Sequence, residues 1–287
     1  MALWTLAALV LAAGLVSLAI THRPRPDDEA RPLFRGVTYT REVEEEPRPT
    51  IAHVVTVDLD APGIRLLVTP GDPALPRPLI GRTTSAFLAE FHVQVAINGD
   101  FFDPWWSHTP WDYYPRAGDP VSVDGPAIAN GVVYSRQSRN PRPRTLYVTR
   151  DNQASFDAPL GEPHQAISGI ELLQAGEPRI ADTAFARAPH PRSAVALDRS
   201  RRRLLLVAVD GRQPNYSEGM ALPELLALIT RHGGHDAALL DGGGSTALAI
   251  ENAAGEPEVL SSPVHTRIPG RERPVANHLG VFAARLP

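Results

Sequence analysis

The way in which three apolar runs end restricts the fold more than any other feature of the chain. Each run is short and aliphatic, and each stops at a polar residue followed by glycine, a pattern typical of buried β-strands. The three junctions are Ile97 into Asn98-Gly99, Val209 into Asp210-Gly211 and Leu240 into Asp241-Gly242. The sequence therefore predicts a sheet-rich domain whose strand ends carry polar side chains.

The chain between Asp210 and Asp241 predicts the relative direction of two of these strands. Residues 223–231 have proline in the first turn and an apolar stripe at helical spacing, which indicates an amphipathic helix. A strand, a helix and a second strand in this order form a right-handed crossover between parallel strands. Both strands then end at the same edge of the sheet, so Asp210 and Asp241 are predicted to face one cleft.

The remaining periodicity predicts a mixed α/β (α+β) fold, with a central mixed β-sheet, flanking helices and a β-rich middle segment. A second helix is expected at residues 84–91. Residues 63–69 are expected to form a hairpin with residues 53–59. The predicted strands are residues 53–59, 63–69, 93–97, 131–134, 145–149, 165–173, 193–197, 204–209, 237–240 and 279–283.

The N-terminal part of the chain differs in character from the rest. Residues 1–21 contain no charged side chain, and twenty helical residues span about 30 Å, the thickness of a bilayer's hydrocarbon core. Neither a positive n-region nor a clear cleavage tripeptide accompanies them, which favours an uncleaved transmembrane anchor over a cleaved signal helix. Residues 22–50 are rich in proline and charge and are predicted to be a tether. Residues 51–287 would then be the catalytic domain.

Two absences from the composition exclude whole classes of chemistry. The chain has no cysteine, and all 28 of its Lys and Arg positions are arginine. A thiolate nucleophile, a cysteinyl zinc site, a lysine Schiff base and a phosphate-loop lysine are therefore excluded. The net charge of -4 argues against nucleic acid as a partner.

Asp241 is followed by three consecutive glycines and then by Ser245. Such a run is entropically unfavourable, and one function that needs it is a backbone nest that turns its amides toward an anion such as phosphate. Arginines near the same edge supply complementary charge, because a guanidinium grips phosphate with paired hydrogen bonds. The predicted anion-binding residues are Gly242, Gly243, Gly244, Ser245, Arg192, Arg212 and Arg273.

Six motifs in a fixed order resemble the phosphodiester glycosidase family over residues 51–286. They are Asn98-Gly-Asp-Phe-Phe102, Arg192-Ser-Ala194, Asp210-Gly-Arg-Gln213, residues 217–225, Asp241-Gly-Gly-Gly-Ser-Thr246 and Arg273-Pro-Val-Ala-Asn277. The resemblance implies a hydrolase that cleaves the bond between a sugar's anomeric carbon and a phosphodiester. The substrate that it implies is an N-acetylglucosamine-1-phosphodiester or a similar cell-wall glycan.

By matched position, the resemblance assigns site roles to residues across the chain. In two places the chain departs from the family pattern: Asp100 stands where a second glycine is common, and Leu239 where asparagine is frequent. Asp100 adds a carboxylate beside Gly99 in the expected substrate site, and Leu239 is expected to affect packing. The matched positions are Asn98, Arg192, Asp210, Glu224, Asp241, Gly242, Gly243, Ser245 and Arg273.

The expected mechanism combines a carboxylate with a cationic phosphate site. Asp241 or Asp210 is predicted to act as base or nucleophile, and the resemblance implies Glu224 as a further catalytic residue. Arg192 and the glycine run are predicted to hold the phosphate. A divalent cation bridging Asp210 and Asp241 is left open. Because such substrates occur in cell walls and surface glycans, the catalytic domain is expected outside the cytoplasm.

Two other functions are kept as alternatives. Residues 243–247 approximate the nucleophile elbow of a serine hydrolase, with Ser245 as nucleophile and His265 or His278 as base. Residues 103–124 hold three of the four tryptophans, and aromatic faces there would also suit a non-catalytic protein that binds a surface polysaccharide.

Overall fold

The computed structural model describes residues 23–136, 138–139 and 142–286. The predicted membrane anchor or signal helix at residues 1–21 lies outside this part of the chain. Among the described residues, no helix combines the length and the apolar character needed to cross a bilayer. The α-helices of this part are α1 (Thr84–Phe91), α2 (Ala184–Arg187) and α3 (Leu222–Arg231).

Most of the regular structure is β-strand. The first eleven strands are β1 (Glu29–Phe34), β2 (Val37–Glu44), β3 (Thr50–Asp58), β4 (Arg65–Val68), β5 (Leu79–Ile80), β6 (Val95–Asn98), β7 (Phe102–Asp103), β8 (Trp106–Ser107), β9 (Tyr113–Tyr114), β10 (Pro120–Val123) and β11 (Ala127–Ala129). The rest are β12 (Val132–Ser135), β13 (Pro143–Val148), β14 (Ala154–Phe156), β15 (Gln165–Gln174), β16 (Glu177–Pro178), β17 (Arg192–Asp198), β18 (Arg203–Val209), β19 (Gly234–Leu239), β20 (Leu248–Glu251), β21 (Pro257–Val259) and β22 (His278–Phe282).

The strands are arranged in two main sheets. The larger sheet follows the order β1-β2-β3-β18-β17-β19-β15-β11-β12, with β13, β14 and β16 attached around β15. The smaller one has the order β21-β20-β6-β22-β4, and short sheets are formed by β5-β10-β7 and by β8-β9. Every pair of these strands in the described residues is antiparallel. The α+β class is therefore correct only in part, because the fold is β-rich with few helices and its sheets are not mixed.

The two main sheets pack face to face, with a helix on the outer side of each. Strand β17 shows how alternation builds these layers: Val195 and Leu197 pack into the core between the sheets, whereas Ala194 and Ala196 lie on the opposite face with α3. On the far side, Phe87 of α1 packs against the smaller sheet. The result is a four-layer arrangement of helix, sheet, sheet and helix.

Two predictions about the N-terminal half are wrong. Residues 29–44, predicted to belong to a tether, form β1 and β2 at one side of the larger sheet, and Val37 and Tyr39 are buried there. Residues 63–69 do contain a strand, β4, but it pairs with β22 rather than with β3. In both cases burial in the core between the sheets decides the pairing, since Val37, Leu66 and Val68 belong to that core.

The predicted relation between the strands that carry Asp210 and Asp241 is correct. Strand β17 lies between β18 and β19 and is antiparallel to both, so β18 and β19 run parallel to each other. Arg192, the first residue of β17, pairs with Val209, the last residue of β18. Arg192, Asp210 and Asp241 therefore start from the same edge of the larger sheet.

Candidate active site

The site lies where this edge of the larger sheet meets the end of β6 in the smaller sheet. Asn98 makes the connection: its Nδ2 donates to the Asp241 carbonyl at 2.6 Å, and its Oδ1 accepts from Ser193 Oγ at 2.7 Å. The Asp241 amide donates to the Gly99 carbonyl at 3.0 Å. Because Asn98 is fully buried, it positions Asp241 and has no access to a substrate.

A cavity of about 660 Å³ opens at this junction. Its wall combines acidic, cationic and aromatic side chains, a composition suited to a charged ligand that also has an apolar face. The side chains that matter for chemistry are Asp124 and Asp241, the guanidinium groups of Arg192, Arg212, Arg267 and Arg273, and the rings of Phe101, Phe102, Trp105 and Phe185.

The Asp241 carboxylate is the best-placed reactive group in the cavity. It accepts hydrogen bonds from Ser245 and from the Gly242 amide, and the positive charge of Arg273 lies nearby. Burial is the largest influence and raises the pKa of Asp241 to about 6, although these three neighbours oppose the rise. A carboxyl group with this pKa is ionised at neutral pH and still accepts a proton readily.

Two arginines lie directly against the glycine run. A Cβ on Gly243 would come within 2.9 Å of Arg212 Nη1, and a Cβ on Gly244 within 2.7 Å of Arg273 Nη2. Gly243 also has a φ of +61°, which favours glycine. The glycines are therefore needed so that both guanidinium groups can approach the backbone beside Asp241.

The amides of Gly242, Gly243 and Ser245 do not form the predicted anion-binding nest. The Gly243 amide donates to the Pro191 carbonyl at 2.9 Å, and the Ser245 amide donates to the Gly242 carbonyl at 3.1 Å. The Gly242 amide is directed to Asp241. Since these amides already have acceptors within the protein, the charge that attracts an anion comes from the arginines.

Arg212 and Arg273 are held close to each other and to Asp241. Burial and the neighbouring cation Arg267 lower the pKa of Arg212, and burial together with Arg212 lowers the pKa of Arg273, whereas Asp241 raises both. Arg212 itself adopts a φ of +58°, an unfavourable backbone conformation for a side chain of this size. An additional anion between these guanidinium groups would relieve their mutual repulsion.

Arg192 lies in the cavity wall but is largely committed to the fold. Its Nε donates to the Met220 carbonyl at 3.0 Å, and its Nη2 donates to the carbonyls of Phe185 and Ala188, each at 2.9 Å. These bonds use three of the five N–H groups and leave the two on Nη1. The side chain, only 1% exposed, thus fixes the end of α2 and offers at most one nitrogen to a ligand.

The structure places Asp210 outside the cavity, contrary to the prediction that it faces the same cleft as Asp241. Its Oδ1 accepts from the Ser262 amide at 2.6 Å, and its Oδ2 lies 3.3 Å from His53 Nε2. His53 Nδ1 is in turn 2.8 Å from the Tyr39 hydroxyl. With 1% exposure, Asp210 is a buried member of a hydrogen-bond chain that ties β18 to β3 and to the loop at Ser262.

The bridging cation that the sequence left open does not fit this geometry. The carboxylates of Asp210 and Asp241 have separate partners, and no group of three or more His, Cys, Asp or Glu side chains that could hold a metal ion occurs in the described residues.

Asp100 is also a supporting residue. Its Oδ2 accepts from the Gly125 amide at 2.7 Å and its Oδ1 from the Phe101 amide at 2.8 Å, and burial raises its pKa well above the usual range. Gly99 is required for a close approach, because a Cβ there would meet Asn277 Oδ1 at 2.2 Å. Both residues therefore shape the loop after β6 rather than line the cavity.

Sequence reasoning missed two charged side chains that line the cavity, Asp124 and Arg267. Asp124 follows β10 and precedes Gly125, so it repeats the pattern of a strand ending in a polar residue and glycine, and that signal could have found it. Its carboxylate accepts from Arg139 Nη2 at 2.9 Å and helps to raise the pKa of Asp241. Arg267 ends a short 3₁₀ turn (His265–Arg267) that no sequence pattern indicates.

Comparison with known proteins shows to which family the chain belongs. A family model described as phosphodiester glycosidase matches residues 91–282, about two thirds of the chain, and this range contains every residue of the cavity wall. The chain belongs to the phosphodiester glycosidase family. No curated protein sequence is significantly similar to it.

Solved structures share the fold of this family member. The catalytic domain of zebrafish N-acetylglucosamine-1-phosphodiester alpha-N-acetylglucosaminidase is 21% identical, with a TM-score of 0.60, over 91% of this chain and 85% of that one. A hypothetical protein from Synechocystis is 17% identical, with a TM-score of 0.55, over 90% of this chain and 64% of that one. At this level of identity the likeness shows the fold alone.

The structure gives Glu224 a different role from the catalytic one that the family resemblance implied. Its carboxylate accepts from the Ala221 amide, at the N-cap of α3, at 2.7 Å, and it forms an ion pair with Arg48. Glu224 does not belong to the wall of the cavity. Glu224 therefore stabilises the N-terminus of α3.

Ser245 is not arranged as the nucleophile of a serine hydrolase. Its Oγ accepts from Arg273 Nη1 at 3.1 Å and donates to Asp241. His265 Nδ1 accepts from Arg273 Nε at 3.2 Å, and burial is the main cause that lowers the pKa of His265 to about 4. His278 is fully buried and stacks on Phe87, with the ring centroids 4.7 Å apart. Ser245 therefore bridges Arg273 and Asp241, and neither histidine takes its proton.

Proposed function

We propose that the chain hydrolyses the glycosyl–phosphate bond of a sugar-1-phosphodiester. One observation carries the proposal: a partly protonatable carboxylate, Asp241, shares a cavity with the guanidinium groups of Arg212 and Arg273. Family membership supports a hydrolase of this kind.

The arginines suit the phosphodiester. Arg212 lies against Gly243 and Arg273 lies against Gly244, and Arg267 adds a third cation at the cavity wall. Guanidinium groups bind phosphate oxygens through paired, charge-assisted hydrogen bonds. As the bond from the sugar carbon to oxygen breaks, negative charge grows on the departing phosphate, and these fixed cations stabilise it.

Asp241 takes the role of base or nucleophile at the anomeric carbon. As a base, its carboxylate removes a proton from the attacking water, whose oxygen becomes the hydroxyl of the released sugar. As a nucleophile, it forms a glycosyl ester that water then hydrolyses. In either course the leaving group is a phosphate monoester with a second pKa of about 6, so protonation of its bridging oxygen is less important than in ordinary glycosidases.

Asp124 is the second carboxylate that the cavity offers to this reaction. It lies in the same wall and its negative charge helps to keep the pKa of Asp241 high. Hydrolysis of a glycosidic bond usually employs two carboxyl groups on opposite sides of the sugar. We therefore include Asp124, rather than Asp210 or Glu224, as the partner of Asp241.

The aromatic wall suits the sugar. Trp105 stands 5.3 Å from the Arg273 guanidinium, so an apolar sugar face and a phosphate would find their partners side by side. An N-acetylglucosamine-1-phosphodiester or a cell-wall glycan is the substrate that we propose, with the catalytic domain outside the cytoplasm and residues 1–21 as its membrane anchor.

Incubation of the purified full chain with a panel of sugar-1-phosphodiesters tests this function. We expect release of free sugar and of the matching phosphate monoester by the natural chain and by Asp60→Asn, which alters an exposed carboxylate paired with Arg202. Asp241→Asn should release neither product. Saturable binding of these compounds without turnover would instead favour the polysaccharide-binding alternative.

A further inference from the structure

Exposed apolar side chains are concentrated around the mouth of the cavity. Of the ten large apolar residues that are exposed in the described part of the chain, four lie in two neighbouring segments. Trp105, Trp106 and Trp111 belong to residues 105–114, here called the aromatic hairpin, and Ile268 belongs to residues 262–271, here called the rim loop. Trp111 is 80% exposed and Ile268 is 40% exposed. A patch of this kind beside a site usually has a partner.

The aromatic hairpin and the rim loop form one surface. Tyr113 packs edge-on against His265 with ring centroids 4.7 Å apart, and Arg271 Nη1 donates to the Pro110 carbonyl at 3.0 Å. The cavity opens between them, since Trp105 of the hairpin and Arg267 of the rim loop both belong to its wall. Whatever covers this surface therefore lies at the entrance of the cavity.

The composition of the surface is that of the interface zone of a bilayer. Tryptophan is enriched where hydrocarbon meets head groups, and arginine places its charged end among phosphates while its stem stays in a less polar layer. Arg116 donates to the Trp111 carbonyl at 2.9 Å, and the guanidinium groups of Arg116 and Arg271 both lie over the Tyr113 ring. Two cations, Arg116 and Arg271, therefore lie beside the exposed tryptophans of the hairpin.

The position of Arg23 brings the start of the chain to the same place. Arg23 Nη2 donates to Ser262 Oγ in the rim loop at 3.0 Å, and its guanidinium lies 3.3 Å from the centre of the Tyr216 ring. The uncharged run ends at Thr21, two residues earlier. Two extended residues span at most about 7 Å. A membrane that holds residues 1–21 must therefore lie close to the rim loop.

We propose that the aromatic hairpin and the rim loop form a membrane-docking surface, with a lipid bilayer as its occupant. Trp111 and Ile268 insert among the lipids, and the arginines contact head-group phosphates. The cavity then opens at the bilayer surface. This docking rests on the proposed function and narrows its substrate: we expect a sugar-1-phosphodiester whose phosphate is attached to a membrane-embedded lipid.

Site-directed labelling tests the docking surface without reference to activity. Because the chain has no cysteine, a single Trp111→Cys or Ile268→Cys accepts an environment-sensitive fluorophore cleanly, and Leu160→Cys, at a residue 51% exposed in another loop, is the control. The full chain is reconstituted in vesicles of phosphatidylcholine and phosphatidylglycerol that contain a quencher on the lipid chains. We expect strong quenching at positions 111 and 268 and little at 160. Equal quenching at all three positions would overturn the proposal.

A double variant, Trp111→Ser with Ile268→Ser, tests the substrate class. We expect unchanged turnover of a water-soluble sugar-1-phosphodiester and about a tenfold loss of turnover when the same sugar phosphate is carried by a lipid in vesicles. Equal loss on both substrates would contradict docking. A natural chain inactive on both would contradict the proposed function, and the quenching experiment would still decide the docking surface.

Discussion

Asp210 and Asp241 show how two strand ends with the same local sequence acquire opposite environments. Both follow an apolar strand, both precede glycine and both lie at one edge of the larger sheet. Asp210 is enclosed by His53 and by the Ser262 amide, whereas Asp241 lines a cavity in which arginines supply positive charge.

The difference arises from what surrounds each strand end. Asp210 sits beside β3, whose His53 side chain reaches it from within the sheet, so its lone pairs are used by the protein. Asp241 sits beside β17, where the loop after β6 approaches from the other sheet and leaves a gap. Both carboxylates accept hydrogen bonds from the protein, but of the two only Asp241 also lines the cavity, so Asp241 is the one available for chemistry.

The largest expected effect is the contrast between mutations of these two carboxylates. We expect Asp241→Asn to lower turnover of a sugar-1-phosphodiester by about 10³-fold or more, since a base or nucleophile is lost. Asp210→Ala should instead lower the free energy of unfolding by about 3 kcal/mol, because the Ser262 amide and His53 lose a buried partner. Specific activity and chemical denaturation of both variants measure the contrast. A stable but inactive Asp210→Ala would reverse the assignment.

The variant Arg273→Gln tests how the positive charge beside Asp241 affects catalysis. The loss of a cation from the phosphate site is expected to lower kcat/KM by about 10²-fold. Because Arg273 opposes the rise in the pKa of Asp241, its removal should raise that pKa further. The acid limb of the pH–rate profile should therefore move to higher pH. An acid limb at an unchanged pH would show that Arg273 does not influence the pKa of the essential carboxylate.

The same raised pKa predicts a pH dependence of stability. The Asp241 carboxyl binds a proton more tightly in the folded chain, with a pKa of about 6, than in the unfolded chain. Folded-state stability should therefore fall as pH rises from about 4 to about 6, by about 2 kcal/mol. Asp241→Asn should lack this loss and be the more stable protein at pH 7. Parallel pH–stability curves would show that Asp241 is not desolvated.

The smallest effect concerns Glu224. Replacement by alanine removes the side chain that caps α3, which should cost about 1 kcal/mol of stability and leave turnover unchanged. Thermal unfolding and the sugar-release assay measure the two quantities. A large loss of turnover in folded Glu224→Ala would restore the catalytic role that the family resemblance implied.

Local patterns in the sequence were sufficient where neighbours along the chain determine the structure. The helix at Thr84–Phe91 and the hairpin of β17 and β18 follow their periodicity, and the family motifs brought Arg212, Arg273 and Asp241 together correctly. The orientation of Asp210 depends on His53, which lies 157 residues away, and no local pattern contains that contact.

Other wrong predictions arose where the correct pattern was present in the sequence but another local feature was given more weight. Prolines and charges around Val37 and Tyr39 suggested a tether, although the two side chains alternate with polar ones and are buried between the sheets. Asp124 carried the same strand-end pattern as Asp241 and lay in a loop region rich in aromatic residues. The glycine run was predicted to be an anion-binding nest, whereas the structure shows that Gly243 and Gly244 leave room for the guanidinium groups of Arg212 and Arg273.

Hydrolysis in water labelled with oxygen-18 tests the central claim most directly, because it reports which bond is broken. If the reaction at Asp241 adds water to the anomeric carbon, the oxygen-18 should appear in the hydroxyl on that carbon of the released sugar after a brief reaction. The phosphate monoester should carry none, as measured by mass spectrometry. Label in the phosphate would mean attack on phosphorus and would contradict the account.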